Sequence, residues 1–158
     1  MTVRAPFPFQ RTSPTSSSSL RIHSFKLRVK TKGFCDVHDL TDEARAKLAE
    51  SGIQNGQATF FVSGSTAGLT TVEYEPGLVK DLQELFERLA PQGEDYHHEE
   101  AWHDGNGFSH VRASLLKPSL TVPVVEGKLT LGTWQQVVLI DFDNRSRNRE
   151  VVLQLFGE

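Results

Sequence analysis

Short apolar stretches separated by turn residues mark most of the chain from residue 21 onward. Residues 25–30 alternate apolar with basic side chains, a period of two that predicts a half-buried strand with a basic outer face. Alternate apolar residues over 58–62 predict another strand. The stretches 120–125, 129–142 and 151–156 are separated by polar turns and are expected to form antiparallel strands, with an interruption in the middle stretch.

Helical spacing is clearest over residues 78–89, where apolar side chains recur every three or four positions until Pro91 ends the pattern. We predict an amphipathic helix whose apolar stripe belongs to the core. A shorter helix is predicted to begin at a Thr41 cap and end at Gly52, and one or two turns are expected over 111–116. Few helices and many antiparallel strands predict a compact α+β single domain, mainly antiparallel sheet or sandwich.

Length and composition fit one domain. The chain has 158 residues, 37% of them hydrophobic, and a formal charge of -3, so we expect a single domain over residues 21–158. No apolar run approaches the roughly 18 residues of a membrane span, and we expect no membrane partner. Seven basic residues, the last of them Lys32, come before the first acid, Asp36, so the rest of the chain is more acidic than the total charge suggests. Nucleic-acid binding by the folded domain is therefore not expected. A single cysteine, Cys35, excludes an internal disulfide and favours a cytoplasmic location.

The first twenty residues differ from the rest in composition. They contain three prolines, a serine run over 16–19 and no acid. Such a segment cannot bury enough apolar surface to order itself, so we predict a disordered tail over residues 1–20. An acid-free leader with arginine and serine is also compatible with a transit peptide, which leaves organelle targeting open as an alternative.

Two polar segments are candidates for a functional site. Four of the six histidines lie within residues 97–110, together with three acids and two glycines. Imidazoles titrate near neutrality and bind transition metals, while carboxylates bind hard cations or move protons, so this segment suits a site better than a core. Residues 63–77 combine small hydroxyl residues and glycines with two carboxylates, which allows a ligand to approach the backbone closely.

Common motifs do not explain either segment. A zinc-protease helix needs its second histidine where Trp102 stands, and a calcium loop needs a ligand where Phe108 stands. The glycines of residues 63–77 are not followed by the lysine and hydroxyl residue of a Walker phosphate loop. The chemistry of these segments therefore has to be sought in a larger pattern.

Several separated motifs in this chain resemble the YjbQ family of small proteins, from about residue 21 to residue 158. The matching positions are residues 64–77, Tyr96, His98, Trp102, 104–107, 109–110, 118–123, 131–136 and 141–143 with Arg145, Arg147 and Arg149. The family is uncharacterised and is often associated with a secondary thiamine-phosphate synthase activity. The resemblance implies a compact α+β fold and a homotrimer whose candidate sites lie near subunit boundaries.

The resemblance also implies roles for particular residues. Catalytic roles fall on Glu73, His98, Asp104 and His110, and the last three are also the implied ligands of a divalent metal, Mg²⁺ or Zn²⁺. Contacts to a small phosphorylated substrate are expected from Ser65, Thr66, Asn106, Arg112, Trp134, Gln135 and Arg145. Many relatives carry histidine where Gly64 and Phe108 stand, so this chain offers fewer imidazole ligands and a full histidine cage is in doubt.

Three classes of function stay open. The first is a metal-assisted thiamine-phosphate synthase, which couples hydroxymethylpyrimidine pyrophosphate to thiazole phosphate and must neutralise the departing pyrophosphate. The second is a metal-dependent hydrolase or lyase that uses the same histidine and carboxylate cluster. The third is a trimer that binds a ligand without catalysis. Arginines 145–149 follow a turn, where such charges are usually solvated, and phosphate contact is the alternative.

Overall fold

A computed structural model describes residues 19–158, so the predicted tail over residues 1–20 lies outside the described residues except for its last two positions. Within that range the chain forms eight strands and four helices. In chain order they are β1 (Arg21–Thr31), β2 (Asp36–Asp39), α1 (Thr41–Ser51), β3 (Gly56–Val62), β4 (Ala67–Val72), α2 (Pro76–Leu89), α3 (Glu99–Trp102), α4 (Gly107–Leu115), β5 (Ser119–Val125), β6 (Lys128–Leu129), β7 (Gln136–Asp141) and β8 (Arg147–Gly157).

The strands form two antiparallel sheets. The larger sheet has the order β1-β8-β3-β5-β6, and the smaller has the order β2-β7-β4. Strand β1 pairs with β8 along its whole length, from Arg21 opposite Gly157 to Thr31 opposite Arg147. The predicted α+β domain with antiparallel sheet is confirmed, and so are the predicted strands around residues 25–30, 58–62, 120–125 and 151–156.

The main core lies between the two sheets. Leu27, Phe60 and Leu153 from the larger sheet pack in one buried cluster with Leu69 and Leu139 from the smaller sheet. Full burial of each such side chain stabilises the fold by about 1.5–3 kcal/mol. The two sheets are therefore held face to face by apolar contacts, with α1 closing one side of the same cluster.

Strand β7 is buried on both faces. Its other face packs Val138 and Ile140 against Phe86 of α2 and Ala113 of α4. Burial on both sides explains why the sequence is continuously apolar from Val137 to Ile140 and does not alternate. The residues that continue from the end of this strand, Asp141 to Asp143, remain buried although two of them are carboxylates.

Three local predictions need correction. Thr41 begins α1 but does not cap it, because its hydroxyl accepts a hydrogen bond from the Val137 amide at 2.9 Å. The Thr41 amide itself donates to the carboxylate of Asp39. Gly52 does end the helix, as predicted, in the left-handed region at φ 68°. The stripe of α2 belongs only partly to the core, because Phe86 is its sole buried residue within the described chain.

The third correction concerns α4. This helix begins at Gly107, earlier than the predicted start at residue 111, and follows Asn106 at the N-cap position. His110 therefore stands inside the helix, although the predicted turns began only after it. No helix within residues 19–158 is long and apolar enough to cross a membrane.

Candidate functional site

The loop between α3 and α4 is folded around the carboxylate of Glu99. The Gly105 amide donates to one carboxylate oxygen at 2.7 Å, and the Gly107 amide donates to the other at 2.9 Å. These backbone hydrogen bonds hold the pKa of Glu99 below its ordinary value. A Cβ on Gly107 would lie 2.4 Å from the Tyr96 Cβ, so only glycine permits this close approach. The backbone of Asp104 is held as well, because Asn144 Nδ2 donates to its carbonyl at 2.8 Å.

Two histidine rings meet beside this loop. The centroids of His98 and His110 are 4.4 Å apart, and their planes are inclined by 38°. His98 Nε2 is buried without a hydrogen-bond partner and lies 3.7 Å from Asp104 Oδ1, a distance that suits an ion pair but is too long for a hydrogen bond. Burial and the neighbouring His98 lower the pKa of His110, against the opposing charges of Asp104, Asp143 and Glu99.

A buried ion network lies behind the histidines. Arg149 Nε and Nη2 donate to the two oxygens of Asp141 at 2.8 and 2.6 Å, and Nη2 also donates to Thr66 Oγ1 at 2.7 Å and to Asp143 Oδ2 at 3.3 Å. Thr66 in turn donates to Asp143 at 2.9 Å, and Arg147 donates to the same carboxylate at 2.7 Å.

This network sets the charge of Asp143. Burial alone would raise the pKa of the Asp143 carboxyl, but the hydrogen bonds from Arg147 and Thr66 and the two guanidinium charges lower it below its ordinary value. Asp143 is therefore an ionised, buried carboxylate, and its Oδ1 has no hydrogen-bond partner within the described residues. The expectation of solvated arginines fits the exposed Arg145 but is wrong for Arg149, which is only 9% exposed.

A cavity of about 390 Å³ opens between the β3–β4 loop and α4, and we call it the histidine cavity. Its walls are Gly64, Ser65, Ala67, His110, Ala113, Ser114, Leu116 and Pro118. One imidazole of the histidine pair therefore borders space that a small ligand can enter. The neighbouring Asn106 is buried at the start of α4, and its Oδ1 lacks a hydrogen-bond partner in the described part of the chain.

The structure brings only some of the predicted site residues together. Ser65, Thr66, His98, Asp104, Asn106 and His110 lie in the histidine cavity, in the two loops beside it, or at the start of α4. Glu73 is exposed beyond the end of β4 and does not line the cavity. Trp134 is 70% exposed, and Gln135 borders a different cavity of about 450 Å³, where it donates to Thr71 Oγ1 at 2.8 Å.

Arg112 also stands apart from the histidine cavity. It is 1% exposed, its Nε donates to the Ala90 carbonyl at 2.8 Å, and its Nη2 donates to Glu87 at 2.5 Å. Its guanidinium lies 4.9 Å from the centre of the Phe108 ring. These contacts join α4 to the end of α2, so protein groups already occupy the side chain that the resemblance offered as a phosphate contact.

The metal-ligand prediction for His98, Asp104 and His110 finds no three-ligand cage. Within residues 19–158, no group of three or more His, Cys, Asp or Glu side chains is arranged to hold a metal ion. This donor set, as arranged, does not fit a tightly held transition metal. A metal role for these residues stays a prediction.

The fold and the site define a class of small α+β proteins, in which two antiparallel sheets carry a histidine-containing cavity at the edge of the smaller sheet. Residues 25–158 match the family model described as UPF0047 protein YjbQ-like. The chain therefore belongs to the YjbQ family, as the sequence motifs predicted.

Curated relatives and solved structures agree with this assignment. A UPF0047 protein of Archaeoglobus fulgidus is 35% identical over 82% of this chain and 99% of its own length. A UPF0047 protein of Synechocystis is 34% identical over 91% of this chain and 98% of its own. The crystal structure of a YbjQ-like protein of unknown function from Sulfolobus solfataricus has a TM-score of 0.84 and 29% identity, covering 89% of this chain and all of that one.

Sequence reasoning gave no role to Glu99 and passed over the buried pairing of Asp143 with Arg149. A signal for Glu99 existed, since a carboxylate six and eight positions before two glycines can accept both of their amides. Asp143 and Arg149 gave only a weak signal. Their pairing depends on the turn between β7 and β8, which brings the end of one strand back over the start of the next.

Proposed function

We propose that this protein is an enzyme that binds a small phosphorylated substrate in the histidine cavity and moves a proton through the His98–His110 pair, with thiamine-phosphate synthesis as its reaction. The observation that carries the proposal is the imidazole pair at 4.4 Å, one member lining the cavity and the other holding a buried, unpartnered nitrogen. A merely structural histidine would ordinarily have that nitrogen hydrogen-bonded.

The pair is suited to holding a single proton. Two imidazolium rings at this distance repel each other, so a charge on His98 disfavours protonation of His110. The lowered pKa of His110 keeps that ring neutral near pH 7, which leaves it able to pass a proton between His98 and a group in the cavity. Asp104 is placed to pair with His98 when that ring carries the proton.

The synthase reaction needs an acid at the leaving group. The thiazole nitrogen forms a bond to the methylene carbon of the pyrimidine, the bond from that carbon to the pyrophosphate oxygen breaks, and pyrophosphate departs with the electron pair. In our proposal, the proton that His98 carries beside Asp104 passes through the neutral His110 ring to the departing oxygen, and water restores it to the pair afterwards. Ser65 supplies a hydroxyl on the wall of the same cavity.

The test is to incubate the full chain with hydroxymethylpyrimidine pyrophosphate, thiazole phosphate and Mg²⁺ and to measure thiamine phosphate. We expect His110→Gln to lower the rate by at least about 100-fold, since a positioned acid or base contributes roughly 10²–10⁴-fold. His97→Gln is the matched control, because His97 lies in the same segment but is fully in solvent, with a side chain 99% exposed. Asp104→Ala is expected to lower the rate as well.

Two results would overturn the proposal at different points. Folded wild-type protein that makes no thiamine phosphate would refute the synthase reaction, and release of phosphate or pyrophosphate without coupling would favour the hydrolase alternative. Product formation that persists in His110→Gln at the rate of His97→Gln would instead refute the role of the histidine pair. Thermal unfolding of each variant shows whether a lost rate reflects lost structure.

We also propose that the chain assembles as the homotrimer that the family resemblance implies, in the cytoplasm. Support comes from apolar side chains that a single copy leaves open to solvent, including Leu85 and Leu89 on α2 at 38% and 58% exposure and Leu115 on α4 at 55%. Light scattering on the purified chain tests the assembly, and a mass of one 17.7 kDa copy at micromolar concentration would refute it.

A further inference from the structure

Arg149 is held rigidly, with one of its three nitrogen groups left over. In the part of the chain that the structure describes, Nε and Nη2 make all of its hydrogen bonds, to Asp141, Asp143 and Thr66, at 2.6–3.3 Å. Within the described residues Nη1 donates to no acceptor. Since the guanidinium group is planar, fixing Nε and Nη2 also fixes the direction in which the Nη1 hydrogens point.

Nη1 lies beside Gly64. A Cβ built on this glycine would lie 3.1 Å from Nη1, and apart from Gly64 and its two chain neighbours no other heavy atom of the described chain lies within 4 Å of that position. Gly64 is itself a wall residue of the histidine cavity, next to Ser65 and together with His110. Arg149 is not itself a wall residue of this cavity and borders a second cavity of about 330 Å³ beside Lys30, so an approach to its Nη1 from the histidine cavity has to pass the missing side chain at residue 64.

We propose that Arg149 Nη1, Ser65 and His110 form a subsite for a tetrahedral oxyanion, the phosphate group of the substrate. This inference rests on the proposed function and names the group that recognises its substrate. Nη1 donates to one phosphate oxygen through the gap at Gly64, and the Ser65 hydroxyl, on an exposed loop residue, donates to another. A charge-assisted N–H···O bond of this kind is about twice as strong as a neutral one.

The charges around this subsite nearly cancel, so it attracts an anion only weakly and selects it by the direction of the hydrogen bonds. The carboxylates of Asp141 and Asp143 offset the guanidinium groups of Arg149 and Arg147. Nη1 therefore offers N–H groups of fixed direction with little net charge around them. Such a subsite favours an oxyanion that can accept several hydrogen bonds at once over a simple halide.

The experiment compares inorganic phosphate binding to the full chain and to two glycine variants by titration calorimetry at pH 7. Gly64→Ala places a methyl group 3.1 Å from Nη1, which cannot move aside because Nε and Nη2 are bound. Gly93→Ala is the matched control, since Gly93 also has a positive φ of 82° but would place its Cβ in open space. We expect Gly64→Ala to weaken phosphate binding about tenfold and Gly93→Ala to leave it unchanged.

A second measurement needs no variant. The guanidinium N–H resonances of Arg149 in wild-type protein are expected to shift as inorganic phosphate is added, with the same affinity as calorimetry gives. Phosphate that leaves these resonances in place, or that binds Gly64→Ala as tightly as wild type, would overturn the subsite. Thiamine phosphate is assayed separately, so phosphate binding without turnover would refute the proposed reaction and leave the subsite standing.

Discussion

Replacing Arg112 by methionine would separate a structural role from a phosphate-binding role for this arginine. Methionine keeps much of the apolar stem and removes the guanidinium, which leaves the buried Ala90 carbonyl without its 2.8 Å donor. Loss of a buried hydrogen bond from a charged group costs roughly 1.5–3 kcal/mol. The bond to the half-exposed Glu87 adds at most about 0.5–1 kcal/mol, because solvent screens it. Contact with the Phe108 ring adds about 0.5–1 kcal/mol.

Together these contributions predict that Arg112→Met lowers the free energy of unfolding by about 3 kcal/mol. For a domain of this length the expected fall in Tm is roughly 6–12 °C. The assay is urea and thermal unfolding of wild type, Arg112→Met and the control Arg88→Met, whose side chain is exposed near the end of α2. A Tm within about 2 °C of the control, combined with weakened phosphate binding, would refute the structural role and restore Arg112 as a substrate contact.

Two further predictions concern pH and backbone strain. Because the pKa of His110 in the folded chain lies below the ordinary 6.5, the unfolded chain takes up a proton first as pH falls, and the free energy of unfolding should drop below pH 6.5. His110→Gln should lose less stability over that range. Equal slopes of unfolding free energy against pH for the two proteins would contradict this. Gly33 and Gly93 share φ values of +83° and +82°, but only a Cβ on Gly33 would meet the Asp143 carbonyl, at 2.3 Å. Gly33→Ala should therefore be less stable than Gly93→Ala by about 1–3 kcal/mol in urea unfolding, and equal midpoints would exclude the clash.

Much of the fold could be predicted because its signals are local. Alternation along residues 25–30 and the apolar runs of the later strands depend only on which face of a sheet is buried. Thr41 shows where this fails. A threonine before two acids is a good helix cap by sequence, but the Val137 amide, 96 positions away, competes for its hydroxyl and binds it. Tertiary contacts of this kind leave no trace in the neighbouring sequence.

The candidate site could also be predicted from the sequence only in part. The histidines of residues 97–110 could be found because they are close in sequence, and His98 and His110 are indeed brought together. The arginines could not be ranked, since their roles depend on distant partners. Arg112 is bound 22 positions back at Ala90, and Arg149 is bound 83 positions back at Thr66. Arg145, which looks the same by sequence, is left in solvent.

The buried ion network also determines how much of the chain is needed to make a site. Thr31 at the end of β1 donates to Asp141, 110 positions away, and the same carboxylate holds Arg149 beside Thr66. The first and last strands therefore meet at a single carboxylate, and the loop at the cavity is joined to them through Arg149. A protease cut that released β1 would remove one donor from Asp141 and loosen Arg149, so the activity proposed for the histidine cavity should be lost once the domain is no longer intact.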